Sequence, residues 1–231
     1  KHSIKRGDIP MKIKKLVSYL PSRYKQELRR IYYRYQISRN IFKSNEIEFG
    51  ILSKWVKQGD WVLDIGANIG HYTLRLSEKV GITGRVLAFE PVLKTFELLA
   101  ANVILAQSNN VTLFNVAVSE STETKDMFIP IFDTGLEDFY SARLINGIGG
   151  MHVFCLNIDS LNIPKQVKFI KIDIEGHEIF ALRGMKNLIT RDHPILIIEG
   201  CSEEVRTFLE ELGYSFSQEG NSPNRIFEYQ K

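Results

Sequence analysis

Residues 61–70 read Trp-Val-Leu-Asp-Ile-Gly-Ala-Asn-Ile-Gly, and this stretch limits the fold more tightly than any other in the chain. Trp61-Val-Leu has the apolar, β-branched character of a strand buried on both faces. Asp64 then closes it with a carboxylate that a core strand has no packing use for. Gly66 and Gly70 permit a tight turn and close approach of backbone to a ligand. The amphipathic run from His71 to Val80 supplies a helix whose first free N–H groups face the same spot. Strand, glycine turn and helix in that order open a parallel α/β sheet.

The turn departs from the dinucleotide fingerprint G-x-G-x-x-G, because Asn68 stands at the second glycine. A pyrophosphate would sit poorly on it. The next strand, Arg85 to Phe89, runs into Glu90, twenty residues past Gly70. That is where nucleotide-binding α/β domains place the acid that grips a ribose diol. An aspartate at the first strand end and a glutamate at the second suit a ligand with an amino group and a ribose but no phosphate, namely S-adenosylmethionine. Glu90 is then assigned to the ribose hydroxyls, with Pro91 behind it. Gly66, Ala67 and Gly70 allow close backbone approach, Asp64 and Asn68 take the methionine end, and Ala117 and Val118 wall the adenine. A nucleotide-dependent oxidoreductase shares the Glu90 spacing and stays open as an alternative.

Strands and helices continue to alternate. Pro91 opens a helix with Phe96, Leu99, Val103 and Ala106 on one face, and Val111 to Val116 is a third strand. Residues 117–166 break the rhythm and read as an insertion, with strands at Met127 to Phe132 and His152 to Ile158. A glycine-rich, lid-like loop at Gly147-Ile-Gly-Gly separates them. The fourth strand, Val167 to Ile174, carries a dense polar cluster, Asp173-Ile-Glu-Gly-His-Glu178. It leads into one helix, Glu178 to Ile189, so that Asp173, Glu175 and His177 stand at the mouth of the sheet. The fifth strand, from Pro194, ends in Glu199. A helix capped by Ser202 follows, then a closing hairpin of Tyr214 to Ser217 and Arg225 to Tyr229. The pattern predicts an α/β, doubly wound, mostly parallel sheet.

Charge divides the chain in two. Residues 1–43 hold thirteen Lys and Arg against Asp8 and Glu27, while residues 44–231 carry a net −8. Residues 1–45 therefore read as a basic helical arm, helical from Met11 to Ile41, on a domain spanning 46–231. Ile13, Leu16, Val17 and Leu20 lie at helical spacing, as do Leu28, Ile31, Tyr32 and Tyr35 beyond Pro21. The arm is either a cap packed on the sheet or a docking segment for an anionic membrane surface or acidic glycan. Nucleic acid is disfavoured, since the interleaved tyrosines serve equally well as core contacts. Cys155 and Cys201 are far apart and outside any C-x-x-C, which fits a reducing, cytoplasmic setting, peripheral to the membrane if the arm docks. No apolar run is long enough to span a bilayer and no leader pattern opens the sequence.

Asp-Ile-Gly-Ala-Asn-Ile-Gly at 64–70, Phe-Glu-Pro at 89–91, Asn-Val-Ala-Val-Ser at 115–119 and Lys-Ile-Asp-Ile-Glu-Gly-His-Glu at 171–178 together resemble the FkbM family of methyltransferases. The resemblance implies the class I methyltransferase fold, a Rossmann-like sheet of seven strands with the last antiparallel. It also implies O-methylation of a sugar, glycolipid or natural product, with S-adenosylhomocysteine as the by-product. A hydroxyl acceptor needs a base, and Asp173, His177 and Glu175 are the catalytic candidates. Asp173, Glu175 and Glu199 are all oxygen donors and form the candidate set for a divalent cation, should one be used. A non-catalytic, membrane-docked binding module is the remaining alternative.

Overall fold

The computed structural model describes residues 20–132, 137–145 and 150–230. Helix α1 (Ser22–Ser38) begins directly after Pro21. The expected helix before Leu20, with Ile13, Leu16 and Val17, and the loop at Gly147 to Gly149 lie outside the described residues. A short helix α2 (Ile47–Ile51) and a 3₁₀ turn at Leu52–Lys54 lead into β1 (Trp61–Ile65). Then come α3 (His71–Val80), β2 (Arg85–Phe89), α4 (Leu93–Leu105) and β3 (Val111–Phe114). The chain next forms β4 (Ala117–Val118), β5 (Glu123–Phe128), β6 (Arg143–Ile145) and β7 (Met151–Leu156), and returns as β8 (Val167–Ile172). Helices α5 (Glu178–Arg183) and α6 (Lys186–Asp192), strand β9 (Ile195–Glu199), helix α7 (Glu203–Glu211), and strands β10 (Tyr214–Ser217) and β11 (Asn224–Tyr229) complete it.

Seven strands form one sheet in the order β10-β11-β9-β8-β1-β2-β3. All run parallel except β11, the last in sequence, which is antiparallel to β9 and β10 on either side. This is the seven-stranded arrangement expected. Neighbouring residues of each strand face opposite sides of the sheet, so two cores are built at once. Leu63, Ile170, Ile198 and Phe227 enter one, and Val62, Phe169, Ile197 and Ile226 enter the other. Each such side chain contributes about 1.5–3 kcal/mol by leaving water.

Register decides what the sheet presents at its edge. Ile65 pairs with Phe89 on one side and Ile172 on the other, and Ile172 pairs with Ile198. The positions one step further along, Gly66, Glu90, Asp173 and Glu199, therefore emerge side by side where parallel strands give way to loops. Ligands of open α/β sheets collect at that edge.

Residues 117–156 supply a second sheet, in the order β4-β7-β5-β6. The expected strand at Met127 to Phe132 begins earlier, at Glu123, because pairing with β7 recruits the polar run Glu123-Thr-Lys-Asp. It stops at Phe128, two residues before Pro130, which has no N–H to give a ladder. The single helix expected over Glu178 to Ile189 is two. Gly184 separates them, and the space its side chain would need is filled by the Ser119 carbonyl.

Helix α1 also turns a different side inward than its apolar spacing predicts. Tyr33 and Ile37 pack with Phe42, Ile69 and Leu98. Leu28, Ile31 and Tyr35 are exposed. Polar contacts on the Tyr33 side decide the orientation: Gln26 Nε2 donates to the Lys94 carbonyl at 2.6 Å, and Arg30 lies 4.0 Å from Glu97.

Candidate active site

Backbone hydrogen bonds fasten the start of the turn after β1. Gly66 N and Ala67 N both donate to the Phe89 carbonyl, at 3.0 and 2.9 Å, tying the turn to the end of β2. Gly66 has φ 82°, and a Cβ there would collide with the Asp173 carbonyl. Only glycine lets the first strand end lie flat against the end of β8. Asp173 N completes the junction by donating to the Ile65 carbonyl at 3.0 Å.

Glu90 is buried and turned back toward this loop. One carboxylate oxygen accepts from Asn68 N at 2.9 Å and the other from Val92 N at 2.8 Å. Asn68 adopts φ 49°, in the left-handed region, which aims its N–H at Glu90. Burial pushes Glu90 up to about 7 despite the two amides, and Asp64 and Asp173 add to the rise. Asp64 is pushed up to about 6, first by burial, while a 2.6 Å hydrogen bond from Thr73 Oγ1 and the charge of Lys171 oppose the shift.

Lys171 went unassigned in the sequence, and it organises the other half of the crevice. It is 1% exposed, with Nζ 3.4 Å from Asp173 Oδ2, 3.5 Å from Asn224 Oδ1 and 5.3 Å from the centre of the Tyr72 ring. Burial disfavours its charge, but Asp173, Glu46, Glu199 and Asp64 outweigh that and raise its pKa. Glu46 closes the ring around it, accepting from Tyr72 OH at 2.7 Å and Asn224 Nδ2 at 3.0 Å. Burial raises Glu46, and Lys171 with these hydrogen bonds brings it below the usual carboxylate range. One signal for Lys171 was present: it lies two residues past Phe169 in an apolar strand, on the same buried face, where a lysine needs a counter-charge.

Asp173 and Glu199 stand on neighbouring strand ends, close enough for their carboxyl groups to interact. Burial and the Asp173 charge push Glu199 up to about 7, against the pull of Lys171. Among the described residues no group of three His, Cys, Asp or Glu side chains is placed as metal ligands. Glu175 sits apart, on a turn with φ 47°, where burial, Asp173, Glu178 and Asp138 raise it and Arg143 opposes.

His177 has a different setting from the one expected. Its Nε2 lies 3.0 Å from Ser119 Oγ and its ring stacks on Phe180 at 4.6 Å. Burial, aided by Lys125, lowers it to about 4, so at neutral pH it is an uncharged imidazole. Ala117 and Val118 are buried as strand β4, with Ala117 in the small core of the second sheet and Val118 in the large one. The strand ends thus bring Asp64, Asn68, Glu90, Asp173 and Glu199 to one edge of the sheet beside the Gly66 to Gly70 turn.

A doubly wound sheet with an acid at the end of its second strand and a phosphate-free glycine turn defines the nucleoside-binding α/β class. The methyltransferase FkbM domain profile matches residues 64–216, and the chain belongs to that family. The match sets aside the oxidoreductase alternative. Among relatives, the chain is 29% identical over 143 residues to the hexuronic acid methyltransferase AglP of Haloferax volcanii, covering 60% of this chain and 55% of that one. It is 40% identical over 185 residues to the ribosomal RNA large subunit methyltransferase E of Oleidesulfovibrio alaskensis, covering 77% and 85%. The crystal structure of methyltransferase FkbM from Methylobacillus flagellatus shares the fold with a TM-score of 0.51 at 20% identity, covering 74% of this chain and 43% of that one. The chain thus spans about half the length of AglP and less of the Methylobacillus protein.

Proposed function

We propose that this chain transfers a methyl group from S-adenosylmethionine to a hydroxyl of a sugar or glycan acceptor. The observation that carries the proposal is the alignment of Glu90, Asp173 and Glu199 at one sheet edge beside the 66–70 turn. The donor set suits the cofactor. Each Glu90 oxygen takes one backbone amide, leaving lone pairs for the two ribose hydroxyls, and Asp64 offers a carboxylate toward an ammonium. When bound, the cofactor supplies an electrophilic methyl on a sulfonium.

The chain's own contribution is alignment and proton removal. Holding two reactants in line is worth up to about 7–11 kcal/mol, and a positioned base about 10²–10⁴ in rate. We assign the base to the Asp173–Glu199 pair. Once Glu199, raised to about 7, has lost its proton, the pair faces Lys171 and takes the acceptor's hydroxyl proton. His177, uncharged and turned to Ser119, is assigned the positioning of the 173–178 loop against β4. Glu175, beside Asp138 and Arg143, borders the acceptor side.

A sugar acceptor draws support from AglP, whose name specifies a hexuronic acid. The rRNA enzyme makes RNA the competing acceptor. Incubation with labelled S-adenosylmethionine and separated polysaccharide, glycolipid, RNA and small-molecule fractions decides between them. Label in a glycan fraction, lost with Asp173→Asn, supports the proposal, and label confined to RNA overturns the acceptor class.

A further inference from the structure

Helix α1 carries large apolar side chains on the side turned away from the protein. Leu28 is 44% exposed, Ile31 63% and Tyr35 55%. At spacings of three and four residues they form one stripe along the helix. Leu20 and Tyr24 extend it toward the N-terminus, and Ile41, 52% exposed, lies just past its end. Core packing does not explain this stripe, since α1 is held from its other side by Tyr33, Ile37, Gln26 and Arg30.

The charge around the stripe is one-sided. From Tyr24 to Arg39 the helix and its cap carry Lys25, Arg29, Arg30, Arg34 and Arg39 against Glu27 alone. Arg34 and Arg39 are exposed, and Arg39 lies over the Tyr35 ring at 5.9 Å. Residues 44–231 carry a net −8, so the positive charge belongs to this part of the chain. An apolar stripe bordered by cations is the pattern of a helix lying in the plane of an anionic bilayer, aliphatic side in the acyl boundary and cations among the headgroups. A nucleic acid backbone would use the cations and leave Leu28 and Ile31 without a role.

The helix also touches the turn at Glu137 to Phe139. Arg29 lies over the Phe139 ring at 5.0 Å, and Lys94 under α1 pairs with Glu137 at 2.8 Å. Asp138, between those two contacts, acts on Glu175 at the acceptor side. Ile131, bridged to Glu137 on this turn, is 69% exposed.

We infer that α1 is a docking face for an anionic lipid bilayer. The docking is independent of the methyl-transfer chemistry and is tested without it. The full chain is sedimented with vesicles of phosphatidylcholine alone and with vesicles of equal parts phosphatidylcholine and phosphatidylglycerol, at low and high salt, and titrated with single-stranded RNA. Wild type pellets with the anionic vesicles only, and less at high salt. Arg34→Gln with Arg39→Gln weakens binding about 25-fold, on the basis of about fivefold per cation. Leu28→Glu with Ile31→Glu abolishes it while circular dichroism and melting stay as in wild type, because both positions are exposed. Absence of pelleting overturns the inference. So does pelleting that survives the Leu28 and Ile31 changes, which would assign binding to residues 1–19. RNA binding indifferent to Ile31→Glu, without vesicle binding, overturns it in favour of nucleic acid.

Discussion

Asp64 and Lys171 are register partners on neighbouring parallel strands, a buried carboxylate beside a buried ammonium at the ligand edge of the sheet. A charge of either sign would be expensive there alone, and each makes the other tolerable. Four carboxylates, Asp173, Glu46, Glu199 and Asp64, act on this one lysine, so acid outnumbers base in the crevice. Burial pushes Asp64, Glu90 and Glu199 up, and the neighbouring carboxylates add to the rise.

Removing the lysine charge should therefore be severe. Lys171→Met leaves buried carboxylates uncompensated, at a cost of about 3–5 kcal/mol at neutral pH. Urea unfolding at pH 7.5 should show the loss, and part of it should return near pH 5 as the carboxyls take up protons. Equal stability to wild type at both pH values would show that Lys171 does not carry the cluster.

The raised carboxyls give the ligand-free protein a pH signature. Glu90 and Glu199 move from 4.5 to about 7 and Asp64 from 3.8 to about 6, so between those limits the folded chain holds more protons than the unfolded one. Their contribution to stability is full below the unfolded values and is lost as pH rises through the folded ones. The melting temperature should fall from about pH 5 to pH 7, and Glu90→Gln should flatten the slope.

Methyl transfer should depend on pH in the opposite sense. The rate should rise through about pH 7 as Glu199 loses its proton. Glu199→Gln should remove the rise, and Asp173→Asn should lower the rate by about 10²–10⁴. His177→Asn should leave the profile in place, because an imidazole lowered to about 4 does not titrate in that range. A profile that instead moves with His177→Asn would return the base role to the histidine.

Much of this was legible in the chain because it is local. Trp61–Ile65 and Arg85–Phe89 are apolar runs stopped by a turn or an acid, and α3 ends at Gly81 as its spacing predicts. The K-I-D-x-E-G block was visible too, but the partners of its lysine were not. Asn224 and Glu46 meet through hydrogen bonding across 178 positions, a pairing that no periodicity encodes. Apolar spacing alone does not tell which side of α1 packs inward, because Gln26 and Arg30 help Tyr33 and Ile37 hold it. His177 looked like a base because its pKa in water suits the work, and burial against Phe180 and Ser119 appears only in three dimensions.

Gly66→Ala tests the junction of the first strand end with β8. The left-handed φ and the Asp173 carbonyl in the place of a Cβ should together cost at least about 2 kcal/mol in unfolding free energy. Near-neutral stability would mean that the turn yields and that Asp173 is not fixed by it.

Calorimetric titration of S-adenosylmethionine into wild type and Glu90→Gln is the most direct measurement of the nucleoside crevice. Saturable binding is expected for wild type, with a loss of about 10–100-fold in Glu90→Gln, the range for a hydrogen bond to a charged acceptor. No heat with wild type, or equal affinity in the variant, would contradict the placement of the ribose on Glu90.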